Sequence, residues 1–487
     1  VRARSRAGLA TVLALALGAA PAPQRAAEAP PVAPRVAQAL ALLDLWVEEQ
    51  IAYRHVPGLS LGVVQGGELV WARGYGFADL ATRTPATPET LYRLGSITKV
   101  FTATAVLQLR DAGQLALDDP LARHLPDFAV ENPFPGAPAI TLRHLLTHTA
   151  GLPRDADIPA WTTHEFPTRE EVFAAVRGQT LLAPPGERYH YSNLGMGLLG
   201  HVVEAVSGQA WADYLHDHVT GPLGMADTTG APTAEHHRRR AISYLRRMPD
   251  GSRDAFPYYD LRGLAAAGNL ISSVTDLARF ASLQLGTPPP GGERVLGPFT
   301  VREMHRLHFA TPGAESGRGL GYGVSRGDAT TFVSHGGWIG GNRSHLLLAP
   351  ESGIAVIALT NADDVGPTLF TRAAFDLVAP ALLEGETAVG APPPGGGADP
   401  GWARYLGAYT DPWGWEYRVL VLDDRLALYA HDYPPADDPG DGVVLLTPAG
   451  ERTFRLPDGE LVSFELGPDG AVARLKRRAD YLRPVGR

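Results

Sequence analysis

The sequence predicts an α+β fold: an antiparallel sheet flanked by helices plus an all-helical subdomain, followed by a small all-β barrel-like domain. Three observations carry this. Strand-like segments bracket a helix-rich middle, roughly residues 95–310, so strands from both ends can share one antiparallel sheet. The run APPPGGGADP, 391–400, marks a break. Beyond it, apolar and polar residues alternate between Asp/Gly/Pro turns, the pattern of successive β-hairpins. A chain of 487 residues has room for two such domains. The expected division is a signal peptide over 1–22, a linker over 23–35, a main domain over 36–386, a Pro/Gly linker over 387–400 and a β domain over 401–487.

The elements follow in order. Arg2, Arg4 and Arg6 precede the apolar run LATVLALAL and then GAAPA, a secretory pattern with cleavage expected after Ala20 or Ala22. The run is too short for an ordinary membrane span. An exported, periplasmic or extracellular protein is expected, with no membrane span after signal removal. PAPQRAAEAPPVAP reads as the linker. Val36, Leu40, Leu43, Val47 and Ile51 at helical spacing predict a helix over 36–53. LSLGVVQGGELVWARGYG predicts a hairpin turning at Gly66-Gly67. Ser273-Val-Thr-Asp276 reads as a capping box opening the helix LARFASLQL. FVSHGG and then SHLLLAP-ESG-IAVIALTN return to strands, and a helix over 368–383 closes the domain.

A net charge of −9 argues against a nucleic-acid partner, which would demand a basic face. The local run HHRRRAISYLRR, His236 to Arg247, reads as a solvated surface. Without cysteine there are no disulfides, no thiol catalysis and no Cys-based zinc site. His216, His218, His236 and His237 lack a third placed ligand, so neither metal nor cofactor is expected.

Among 43 basic residues only Lys99 and Lys476 are lysines. Lys99 follows Ser96 by three residues on a segment with apolar residues at Ile97, Val100, Phe101, Ala105 and Leu109, so the two share one face of a buried helix. Burial and the helix N-terminus disfavour the ammonium form. A neutral amine can take the serine proton; guanidinium stays protonated and cannot. Tyr191-Ser192-Asn193 offers a phenol and an amide, and His335-Gly336-Gly337 a histidine on a strand that glycines leave open to a substrate backbone. Gly58-Leu-Ser60-Leu-Gly62 imitates a nucleophile elbow, but a hairpin strand follows where that motif needs a helix.

With S-x-x-K, Y-x-N and H-x-G in this order, the chain resembles the β-lactamase-related serine hydrolases, which include class C β-lactamases, DD-peptidases, D-amino-acid peptidases and certain esterases. The resemblance covers roughly residues 36–385 and extends to TLYRLGSITKVFTATAVLQL, ITLRHLLTHTAGLP and AAAGNLISSVTDLARF. It implies the serine β-lactamase/penicillin-binding-protein fold and acyl transfer through Ser96. Lys99 and Tyr191 would relay the proton, Asn193 would orient Lys99 and the substrate amide, and the backbone N–H groups of Ser96 and Trp338 would form the oxyanion hole. His335, Gly336, Gly337 and Arg343 would line the substrate edge. His335 stands where typical β-lactamases carry lysine, and Trp338 is bulky beside the oxyanion position; both weaken the case for efficient β-lactam turnover. The substrate implied is a small molecule or short peptide: a D-amino-acid or peptidoglycan-type peptide or a carboxylic ester. A β-lactamase proper and a non-turnover penicillin-binding sensor are the alternatives. The C-terminal domain resembles lipocalin-like modules appended to such hydrolases, and restricting access to the cleft is its expected role.

Overall fold

The computed structural model describes residues 33–485 apart from 328–329, 388–397, 413, 432–433 and 478–479. The expected signal segment, most of the first linker and most of the second lie outside the described residues. The first helix, α1, spans Pro34–Arg54 and starts two residues earlier than its apolar spacing predicts. Pro34 sits in its first turn, where the missing N–H costs nothing. Strands β1 (Gly58–Gln65) and β2 (Glu68–Asp79) form the expected hairpin. Gly66 and Gly67 turn it at φ 58° and 91°, the positive values that two-residue hairpin turns demand.

The chain then enters the helical lobe, whose main helices are α2 (Thr98–Asp111), α3 (Asn193–Ser207) and α4 (Val274–Gln284). Ser273 caps α4 by accepting from the Asp276 N–H at 3.2 Å. The reciprocal half of the expected capping box is not made, because the Asp276 carboxylate accepts from the Asp227 N–H and the Thr228 hydroxyl instead. Strands β3 (Thr331–Ile339), β4 (Asn342–Ala349) and β5 (Ile354–Thr360) return to the sheet, and α5 (Pro367–Thr387) closes it.

The sheet has eight strands. At its centre β1 pairs with β5, Leu59 opposite Thr360 and Gln65 opposite Ile354, so the two ends of the domain are neighbours, as expected. Every residue of β5 is buried. One face packs on the helical lobe; the other packs on α1 and α5 through Leu59, Leu61, Trp46, Val47 and Phe370. Burial on both faces explains why these strands read as unbroken apolar runs. Among the described residues no helix is long and apolar enough to cross a membrane.

Residues 407–484 form a nine-stranded antiparallel, barrel-like sheet around Tyr405, Tyr409, Phe454 and Phe464. The module docks on α1. Leu420, Ala427 and Tyr429 pack on Leu42, and the Trp46 indole and Gln50 amide both donate to the Ala436 carbonyl at 2.8 Å. Glu49 receives the Tyr429 hydroxyl and pairs with His431.

Candidate active site

Ser96 lies in a tight 3-10 turn, Gly95–Ile97, that runs directly into α2; Lys99 occupies the first turn of that helix. The two therefore meet as their spacing predicts, with Lys99 Nζ 2.9 Å from Ser96 Oγ. Lys99 is 0% exposed. Its nitrogen also donates to Asn193 Oδ1 at 2.9 Å and to the Ala267 carbonyl at 2.6 Å. Burial holds the Lys99 pKa well below the usual amine range, the Asp155 charge opposing this and Arg154 adding to it. A neutral amine has two hydrogens, and two obligate acceptors take both. Its lone pair is then left facing the serine hydroxyl.

Tyr191 donates to Ser96 Oγ at 2.7 Å. Burial pushes its phenol up to about 12, so it remains protonated at neutral pH. Its ring stacks on His148 at 4.5 Å and carries the Arg154 guanidinium 5.2 Å from its centroid. Asn193 opens α3, and its Nδ2 donates to Asp155 Oδ1 at 3.0 Å. A carboxylate only accepts, so Asp155 fixes the amide with its oxygen towards Lys99.

The far wall is β3. A Cβ on Gly337 would lie 1.9 Å from the Leu94 carbonyl oxygen, and one on Gly95, at φ 52°, 2.8 Å from the Trp338 backbone nitrogen. Only glycines let the nucleophile turn and the strand edge approach this closely. Ser344 on β4 ties them together by donating to the Leu94 carbonyl at 2.7 Å. His335 is half-buried beside Tyr191 in the cleft, and burial, then Lys99, holds its imidazole far below its ordinary range. Its Nδ1 lies 2.7 Å from the Gly336 carbonyl and must donate there, so the neutral ring keeps an acceptor, not a donor, at Nε2. Arg343 lines the same cleft, one guanidinium N–H spent on the Asp363 carbonyl at 2.8 Å.

Every residue the motifs single out is thus placed at one site. Ser60 is not: it is fully buried in β1, bonded to the Thr87 carbonyl and Tyr92 hydroxyl. Among the described residues no cluster could hold a metal. His216, His218 and His236 are engaged by Asp217, Gln209 and Thr233, and His237 lies against the Tyr258 ring. Only the start of the basic run is a solvated surface helix, ending at Arg239, with Arg238 and Arg239 on Glu235 and Asp227; further on Ala241, Ser243 and Tyr244 are buried, the last two in a short strand. The C-terminal domain contributes none of the described residues lining the cleft, which all fall between Ser96 and Thr368, so the lining lends no support to the expectation that it restricts access. Sequence reasoning missed His148, Arg154, Asp155 and Trp161.

A serine hydroxyl shared between a buried lysine and a tyrosine, on the seam of a helical lobe and an antiparallel sheet, defines a serine hydrolase of the β-lactamase, DD-peptidase and esterase type. The family model described as Beta-lactamase matches residues 43–380, and the chain belongs to that family. Penicillin-binding protein 4 of Amycolatopsis lactamdurans is 32% identical over 336 residues, 67% of this chain and 87% of that protein. Protein flp of Staphylococcus aureus (strain MW2) is 29% identical over 322 residues, 66% of this chain; the chain spans only 62% of the length of that relative. The octameric penicillin-binding protein homologue from Pyrococcus abyssi superposes with a TM-score of 0.62 at 26% identity, covering 91% of this chain and 99% of that one.

Proposed function

We propose that this enzyme cleaves ester or amide bonds of small molecules and short peptides, including D-amino-acid or peptidoglycan-type peptides, through an acyl-enzyme on Ser96. The observation that carries the reading is the fully buried Lys99 Nζ 2.9 Å from Ser96 Oγ, with Asn193 and the Ala267 carbonyl as its other hydrogen-bond partners. Lys99 takes the Ser96 proton as Oγ bonds to the substrate carbonyl carbon. The developing oxyanion is met by the N–H groups of Ser96 and Trp338. When the bond to the leaving nitrogen or oxygen breaks, Tyr191 gives that atom a proton, and the proton held on Lys99 restores the phenol without passing through Ser96, whose acylated oxygen carries no hydrogen. Water then attacks the acyl carbon, and the relay runs again to restore the serine.

His335 separates this reading from a β-lactamase proper. A neutral ring offering a lone pair does not hold a substrate carboxylate as an ammonium would. Export is proposed from the Arg2–Ala22 pattern, and N-terminal sequencing of the secreted chain tests it. The decisive experiment incubates wild type and Ser96→Ala with p-nitrophenyl acetate and a fluorescent penicillin. A transient adduct on Ser96 with turnover is expected from the ester, and neither in the variant. A stable penicillin adduct without turnover of either compound identifies a sensor instead.

A further inference from the structure

The cleft has two unequal sides, and the proton relay assigns them; the assignment rests on the acyl-enzyme reading. Tyr191 must hand its proton to the leaving atom, so the leaving group departs on the side of Tyr191. That side, with His335, Gly336, Arg343 and Thr368, holds a cavity of about 370 Å³. The acyl group is left with the other side of Ser96, beside Asn193. There Phe166, Leu261, Leu264 and Ile339, with the polar side chains of Arg154 and Asn193, bound a cavity of only about 20 Å³.

Two indoles close this smaller pocket, and they come from opposite lobes. Trp161 stands on the short helix Ala160–Thr163; Trp338 stands on β3. Their rings are 6.2 Å apart between centroids and inclined by only 22°. A chain threading between two ring faces needs about 3.5 Å of contact distance on each side, more than this spacing provides. Both rings are also held. Trp338 is 44% exposed, yet its Nε1 donates to Asp363 Oδ1 at 2.8 Å. Trp161 packs edge-on against Phe166 at 4.9 Å and Tyr259 at 6.5 Å.

We propose that Trp161 and Trp338 form a specificity-determining clamp that closes the acyl side of the cleft. The substrates are then donors of a compact acyl group, acetyl the type case, carried on a leaving group of open-ended size. An acyl portion that continues as a long chain or peptide does not fit, which narrows the proposed substrates to short-acyl esters and amides and sets aside peptides whose stem would be the acyl part.

The test compares kcat/KM for p-nitrophenyl acetate, butyrate and octanoate in wild type, Trp161→Ala and Trp161→Phe, with melting temperatures recorded. Wild type is expected to favour acetate over octanoate by at least about tenfold, the scale on which a filled pocket discriminates. Trp161→Ala raises the octanoate-to-acetate ratio by a similar factor; Trp161→Phe keeps the wild-type order. A wild type that cleaves octanoate as well as acetate overturns the clamp whatever the variants do. So does a folded Trp161→Ala with an unchanged ratio. No ester turnover and no adduct on Ser96 overturns the acyl-enzyme reading itself, and the clamp with it.

Discussion

Lys99 Nζ stands 2.9 Å from Ser96 Oγ and has no ion-pair partner among the described residues; its other contacts are an amide oxygen and a backbone carbonyl. A buried ammonium with no carboxylate in direct contact is unfavourable by several kcal/mol, on the order of what drives such groups to neutralise. The same burial that makes this lysine costly makes it a base.

Lys99→Arg puts a permanent cation where the active form has a neutral amine, and abolishes the base. Acylation is expected to fall by at least about 10³-fold, within the range that general-base catalysis supplies. Rapid-quench mass spectrometry of the Ser96 adduct measures it, and Lys99→Met controls for the larger guanidinium. Near-wild-type acylation in either variant would show that Tyr191 is the base.

The active form carries a free Lys99 amine, so kcat/KM should rise with pH through the lowered Lys99 pKa and then level. Asp155 raises that pKa by its charge. In Asp155→Asn the rising limb therefore moves to lower pH. The plateau should fall little, because the substituted amide keeps an oxygen that can accept from Asn193 Nδ2. A plateau loss with an unmoved limb would assign Asp155 a purely structural part.

The sequence shows the nucleophile pair because a three-residue spacing inside a helix fixes geometry locally. It shows the sheet because apolar strands at both ends of the domain leave few ways to pair. Asp155 and Trp161 stay hidden: each lies in or beside an aperiodic loop, and its partner, Asn193 or Trp338, is brought to it only by the folded lobes. The docking of the β domain was half visible. Leu42, Leu45 and Trp46 lie off the apolar stripe of α1, and a helix apolar on more than one face is covered on more than one side.

Gly336 and Gly337 are adjacent, yet they differ in what a methyl group would meet. At Gly337 it strikes the Leu94 carbonyl at 1.9 Å and Ser344 Oγ at 2.1 Å; at Gly336 the nearest atom is 3.7 Å away. Gly337→Ala is expected to destabilise the fold by about 1–3 kcal/mol, the usual scale of overpacking, while Gly336→Ala melts as wild type. Urea unfolding of both variants decides it, and equal stabilities would mean that the strand edge yields.

His335→Lys would place an ammonium where a neutral acceptor now stands. Acylation by benzylpenicillin should rise relative to acylation by p-nitrophenyl acetate, because the β-lactam carries a carboxylate and the ester does not. The ratio of the two acylation rates is the readout. An unchanged ratio would place the carboxylate elsewhere, with Arg343 the next residue to substitute.

A chain ending at Glu386 separates support from selectivity. Loss of the β domain uncovers Leu42 and strips the Trp46 and Gln50 side chains of the Ala436 carbonyl. Burying one leucine is worth roughly 1.5–3 kcal/mol, so the shortened chain should melt lower and associate through α1. Its cleft residues, all between Ser96 and Thr368, are untouched. The octanoate-to-acetate ratio should therefore stay at the wild-type value in whatever fraction remains folded. A changed ratio would mean that the module reaches the cleft through α5, whose first residues, Pro367 and Thr368, line it while the body of the helix packs against α1.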